Sequence, residues 1–263
     1  MSAFVSRLLV AAAALPIVLG AAWGGGWWIF AVATLAAVLA LHEFWLLARP
    51  LSPLSPAGYV GGVLALVGAK LGGPGWAFGG VLAALPLAFL LKGVSATRQA
   101  ATASISATLL ASAWIGGGLA FLLLLRDLPT HGRDAIYTVL LAVWAGDTFA
   151  YFGGRLLGRH RMAPTTSPGK TWEGFVFGTA ATVFVAFVCL YKNHFLTIPQ
   201  SLVLGGVLAV AAPLGDLFES MLKRDAGVKD SGRLLAGHGG VLDRLDAFLF
   251  AAPAAYFLIL AFR

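Results

Sequence analysis

Apolar residues fall into nine long blocks, roughly 8–22, 27–47, 57–73, 75–91, 104–125, 134–153, 172–191, 199–222 and 243–262. Short polar or Gly- and Pro-bearing breaks separate them. A helix needs about 20 apolar residues to cross the hydrocarbon core of a bilayer. At such lengths only helices satisfy their own backbone polar groups in lipid. The pattern predicts an all-α, polytopic integral membrane protein with about nine transmembrane helices. Residues 1–133 hold the first five, expected as scaffold and as a lipid-facing or dimer region. Residues 134–263 hold the last four and most of the charged motifs.

Composition agrees with this class. Apolar residues make up 59% of the chain, charged residues 11%, and mean hydropathy is +0.88. The net charge of +7 raises the question of nucleic acid. In so apolar a chain it is better read as an orientation signal and a match to anionic phosphates, so no nucleic-acid partner is expected. With a cytoplasmic N-terminus, only Lys70, Arg126, Arg133, Lys192 and Arg263 of the 18 Lys and Arg fall outside. Basic residues concentrate on cytoplasmic loops, which places the protein in the cytoplasmic (inner) membrane with its C-terminus outside. Arg7 before an apolar run also fits a signal peptide; the second block, following after a short Gly-rich turn, favours a retained span. Cys189 is the single cysteine, which rules out an intrachain disulfide or a cysteine-based metal cluster.

Two polar breaks carry the candidate chemistry. The first, at 144–174, contains Asp147 about six residues before the expected end of span 6, then Arg155, Arg159, His160 and Arg161. Pro164 and Pro168 stop the helix, so Ser167-Pro168-Gly169-Lys170-Thr171 is expected as a loop. A P-loop is excluded, because Pro164 stands where glycine is required and no strand precedes it. Lys170, Ser167 and the loop amides suit phosphate binding; the arginines also fit a plain topology signal.

The second break, at 220–246, carries four acidic and five basic side chains between apolar runs at 199–219 and 247–262. Ionisable groups at a membrane edge are costly and are functional candidates. Asp216, Glu219, Ser220 and Lys223 are spaced for one helical stripe, and Asp243 and Asp246 for one face of the next helix. Carboxylates from two helix ends are thus expected to converge beside Lys223, Arg224, Lys229 and Arg244. The glycines between let backbone amides approach an anion. Such a set suits a hard cation bridging phosphates, or else a network of neutralising salt bridges. His238 suits a phosphate donor, a general acid or a turn. Glu43, late in span 2, is expected to answer a buried Arg or Lys.

One family unites these residues. Ser220-x-Leu222-Lys223-Arg224-x4-Lys229-Asp230-x-Gly232-x2-Leu235-x2-His238-Gly239-Gly240-Val241-x-Asp243-Arg244-Leu245-Asp246 closely resembles the signature of the phosphatidate cytidylyltransferase (CDP-diacylglycerol synthase) family. Asp147-Thr148-x-Ala150-Tyr151, Ser167-Pro168-Gly169-Lys170-Thr171-x-Glu173-Gly174 and Gly215-Asp216-Leu217-x-Glu219-Ser220 are similar to it as well. The resemblance covers about 144–246. Ala236 departs from it, standing where the family usually has Pro.

The resemblance implies that CTP and phosphatidate react to give CDP-diacylglycerol and pyrophosphate, with Mg²⁺ required and a second cation a further option. It implies Asp216, Asp243 and Asp246 as metal ligands, the first two as first choice. Lys223, Arg224, Lys229 and Arg244 would bind the triphosphate or lipid phosphate, with Ser220 and Asp230 in the same substrate site. His238, Gly239 and Gly240 would shape a phosphate loop. Ser167 and Lys170 would close the site, and Asp147 would hold a second cation or orient a basic residue. A homodimer is implied too. The rival from another class is a polytopic transporter of a phosphorylated or anionic substrate, whose charged residues belong in discontinuous helices at mid-membrane. A CDP-alcohol phosphatidyltransferase opens its signature with Asp-Gly, a dipeptide this chain lacks.

Overall fold

The structure, a computed structural model, describes residues 3–95, 100–193, 195–232 and 239–262, with side chains from residue 12 onward. Its helices are α1 (Ala3–Gly24), α2 (Gly26–Leu47), α3 (Ser55–Gly72), α4 (Pro74–Gly93), α5 (Ala101–Arg126), α6 (Gly132–Leu157), α7 (Trp172–Leu190), α8 (Ile198–Asp225) and α9 (Leu242–Ala261). Among the described residues seven helices, α2 and α4 to α9, are long and apolar enough to cross a membrane, and α1 contributes an apolar stretch at Ala12–Gly24. The protein is an all-α, multi-pass membrane protein. Large apolar side chains such as Trp28, Phe89 and Leu156 point outward, at 74%, 68% and 78% exposure. A water-soluble monomer rarely shows so much apolar surface; on a membrane-spanning helix it is the lipid-facing side.

The chain forms two compact units, Met1–Asp127 with Ala226–Leu245, and Leu128–Asp225 with Asp246–Arg263. In the first, small residues let helices approach closely. A Cβ on Gly62 would meet Leu41 Cδ1 at 2.9 Å, and one on Gly61 would meet Ala84 Cβ at 2.6 Å. Leu41, Leu66, Ile115, Leu119 and Leu123 fill the space between. A π-helical turn, Ser112–Gly117, interrupts α5. Buried hydroxyls of α5 tie down the link between α2 and α3. Ser104 Oγ donates to Leu51 O, Thr108 Oγ1 accepts from Leu54 N, and Ser112 Oγ donates to Gly58 O. Buried polar groups cost stability unless bonded, and here each has a backbone partner.

In the second unit α6, α7 and α8 pack side by side, again on small residues. A Cβ on Gly178 would stand 2.9 Å from Ala150 Cβ, and one on Gly205 would stand 2.7 Å from Val183 Cα. The segment expected as a loop at 167–171 is instead the second strand of an antiparallel hairpin, β1 (Arg161–Ala163) with β2 (Ser167–Thr171). Pro168 does not prevent this, because a two-stranded ribbon consists of edge strands, where the missing N–H is tolerated. Glu173, in the first turn of α7, fastens the hairpin by accepting from Arg159 N and His160 N and pairing with His160 Nδ1 at 2.6 Å. Helix α6 runs on to Leu157. Asp147 is therefore ten residues from its end, about 15 Å at 1.5 Å per residue, not the six expected.

Candidate active site

The second unit gathers charge on the C-terminal half of α8. Pro213 and Asp216 meet the side chain of Lys170 from the hairpin. Its ammonium stands 2.8 Å from Asp216 Oδ2 and 3.3 Å from Pro213 O. On the other carboxylate oxygen, Asp216 accepts from Ser220 Oγ at 3.2 Å, one helical turn away. A second i, i+4 pair follows: Lys223 Nζ lies 3.0 Å from Glu219 Oε2. Glu219 is fully buried, whereas the Asp216 side chain is 38% exposed. The spacing of Asp216, Glu219, Ser220 and Lys223 on one stripe is thus realised as two interlocked pairs.

Asp246 of α9 adds a third carboxylate. It is 8% exposed and lies within electrostatic range of Asp216 and Glu219. Its Oδ1 also accepts from Ala247 N at 2.8 Å. Gly215 makes this meeting possible, because a Cβ there would press on Ala247 Cα at 3.2 Å and on the Asp246 backbone. Arg224 closes the arrangement by donating from Nε to Thr166 O at 3.1 Å, which ties the end of α8 to the hairpin turn. Ser167 is half-buried in β2. Asp147 lines a crevice of about 30 Å³ with Thr179, Thr182 and Pro213.

The first unit holds the rest of the signature. Asp243 is in the first turn of α9 and its Oδ2 accepts from Ser231 N at 3.1 Å and Gly240 N at 2.7 Å. Gly239 has φ 81°, and a Cβ there would meet Asp243 Oδ2 at 2.7 Å. That conformation and that approach both call for glycine. Lys229, Asp230 and Arg244 are exposed. His238 lies outside the described residues.

The sequence predicts that Glu43, late in span 2, answers a buried Arg or Lys. It is 1% exposed, and its carboxylate accepts hydrogen bonds from the signature segment itself. Oε1 accepts from Val241 N at 2.9 Å, and Oε2 accepts from Leu242 N at 2.8 Å and Ser231 Oγ at 3.0 Å. Two backbone amides at a helix start answer a carboxylate as well as a guanidinium does, since they are free of intrahelical partners and carry the positive end of the helix dipole. Nothing local to span 2 signals this partner, which lies almost 200 residues away.

These features define a helical, multi-pass membrane protein with carboxylates and ammonium groups interlocked on a helix end and a hairpin. Over residues 5–262 the chain matches the description "Cytidylyltransferase family", and it belongs to that family. It is 44% identical over 130 residues to a phosphatidate cytidylyltransferase of Haemophilus influenzae, covering 48% of this chain and 45% of that one. To proteins of the same name it is 42% identical over 153 residues in Staphylococcus haemolyticus (58% of each chain), and 41% identical over 155 residues in Bacillus subtilis (58% and 57%). The matched segments therefore span about half the length of these relatives.

Proposed function

We propose that this chain is a phosphatidate cytidylyltransferase, which joins CTP to phosphatidate in the bilayer and releases CDP-diacylglycerol and pyrophosphate, with Mg²⁺ as cofactor. The observation that carries the reading is the interlocked set Lys170, Asp216, Ser220, Glu219, Lys223 and Asp246, in a chain whose relatives bear that name. An oxygen of the phosphatidate phosphate bonds to the α-phosphorus of CTP, and the bond from that phosphorus to the oxygen bridging to the β-phosphate breaks. The nucleophile is already an anion near neutral pH, so no dedicated base is needed. The task is to bring two anions together and stabilise the transition-state charge.

The donor set fits a magnesium ion. Among the described residues no group of three His, Cys, Asp or Glu side chains is arranged to cage a metal. Mg²⁺ does not require one, since it takes one or two carboxylates together with phosphate oxygens and water. Asp216 and Asp246 would hold it, and Asp216 already has a cationic group, the Lys170 ammonium, on one oxygen. Asp243, which the resemblance ranks with Asp216 as a first-choice ligand, would be a further ligand, and its carboxylate also organises the loop at Ser231 and Gly240. When bound, the metal neutralises charge on phosphate oxygens. Lys170, Lys223 and Arg224 bind phosphate oxygens from α8 and the hairpin. Lys229, Arg244, His238, Gly239 and Gly240 do so from the signature segment, with Ser167, Ser220 and Asp230 in supporting positions. Asp147 holds a second cation or orients a basic group.

The same reading includes about nine crossings, with α1 and α3 counted beside the seven long apolar helices, a cytoplasmic N-terminus, an external C-terminus and a homodimer. Its test is pyrophosphate release from CTP by the full chain in detergent, with and without phosphatidate. Phosphatidate-dependent release that EDTA abolishes is expected. No release, together with flux of an organic phosphate into proteoliposomes, would overturn it in favour of a transporter.

A further inference from the structure

The only charged residue of α2 is Glu43, and a lone acid in an apolar helix is costly unless it is used. We infer that Glu43 is a positioning residue that sets the conformation of the signature segment, and so acts on catalysis without touching substrate. This rests on the cytidylyltransferase reading for its effect on rate, and on the structure alone for its effect on the segment.

The geometry is specific. Glu43 takes hydrogen bonds from both sides of the segment: Ser231 Oγ on one, and the amides of Val241 and Leu242 on the other. Asp243 joins the same two sides through Ser231 N and Gly240 N. Two carboxylates, one from α2 and one from α9, thus hold 231 against 240–242. Both sides clear space for Glu43. A Cβ on Gly232 would lie 2.7 Å from Glu43 Cδ, and so would one on Gly240. Ser231, Gly240, Val241 and Leu242 are all buried, so water cannot replace the carboxylate. The residues whose backbone is fixed in this way adjoin Asp230, Gly239, Asp243 and Arg244, the part of the signature assigned to phosphate and metal. Preorganisation of such groups is what electrostatic catalysis requires.

Chemistry dictates which substitutions report. Glu43→Gln preserves shape but turns an NH2 toward backbone N–H donors, so at least one acceptor is lost. Glu43→Asp keeps the charge but shortens the reach. Ser231→Ala removes the third partner and leaves the amide bonds. The experiment combines amide hydrogen exchange of the full-length protein in detergent with steady-state kinetics on the same samples, corrected for folded fraction. In Glu43→Gln, exchange in the peptide containing Val241 and Leu242 should rise about 10- to 100-fold, the range expected for losing hydrogen bonds to a charged group. Exchange in α6 and α7 should stay as in wild type. Turnover should fall over a similar range with the KM for CTP changed less, Glu43→Asp should recover part of it, and the effects of Glu43→Gln and Ser231→Ala should be non-additive. Unchanged exchange at 241–242 would overturn the inference, whatever the activity. So would normal turnover despite faster exchange. If wild-type protein releases no pyrophosphate, the cytidylyltransferase reading fails and the exchange result still decides the structural claim.

Discussion

Lys223 and Lys229 look equivalent as letters in a basic stretch, yet their surroundings separate them. Lys223 is paired with a carboxylate that is fully buried, and breaking a buried pair from one side typically costs about 3–5 kcal/mol. Lys223→Ala should therefore lower thermal stability in detergent as well as CTP use. Lys229 is exposed, so Lys229→Ala should weaken CTP use with its melting temperature unchanged. Equal melting curves for the two variants would contradict the assignment. Asp216→Asn and Asp246→Asn should each remove about two or more orders of magnitude of turnover, the scale of lost metal-centred charge stabilisation, in protein that still extracts folded. Wild-type rates at limiting Mg²⁺ would exclude that residue as a ligand. Residue types and spacing made Asp216, Ser220 and Lys223 legible as one stripe. The pairing of Asp216 with Lys170 was not legible, because it joins positions 46 apart that only packing brings together.

Between elements, glycine decides how near two helices come. Gly215 on α8 has the backbone of Asp246 and Ala247 against it, so Gly215→Ala should push α8 from α9 and separate Asp216 from Asp246. A loss of about 1–3 kcal/mol is the usual cost of forcing atoms into a packed site. Thermal unfolding in detergent and turnover should fall together, and a stable, active variant would show that this contact is dispensable. The hairpin offers a second case. Its alternation was obscured by Pro164 and Pro168, which read as breakers. What holds it is Glu173 reaching back to Arg159, His160 and the His160 ring. Glu173→Gln weakens that clasp and should speed proteolysis at 160–170. Unchanged cleavage would mean that strand pairing alone suffices.

Across the whole molecule the distribution of Lys and Arg sets orientation. With Cys189 replaced by Ala, single cysteines at Thr165→Cys and Val228→Cys should resist a membrane-impermeant thiol reagent added to intact cells, and Arg263→Cys should react. Labelling at 165 or 228 from outside would overturn both the topology and access of those loops to cytosolic CTP.

The class of this protein follows from the one-dimensional pattern, because lipid imposes a length and a composition on every crossing helix regardless of its neighbours. The helix positions were legible to within a few residues for the same reason, as α2 at Gly26–Leu47 and α9 at Leu242–Ala261 illustrate. The stripe of Asp216, Glu219, Ser220 and Lys223 was legible too, since fixed offsets on a helix place side chains on one face. What depended on tertiary structure was partnership. Glu43 could have faced a buried arginine; folding placed it on Ser231, Val241 and Leu242. A buried charge must be answered by some donor, but which donor arrives is decided by how distant segments pack, and no local spacing encodes that.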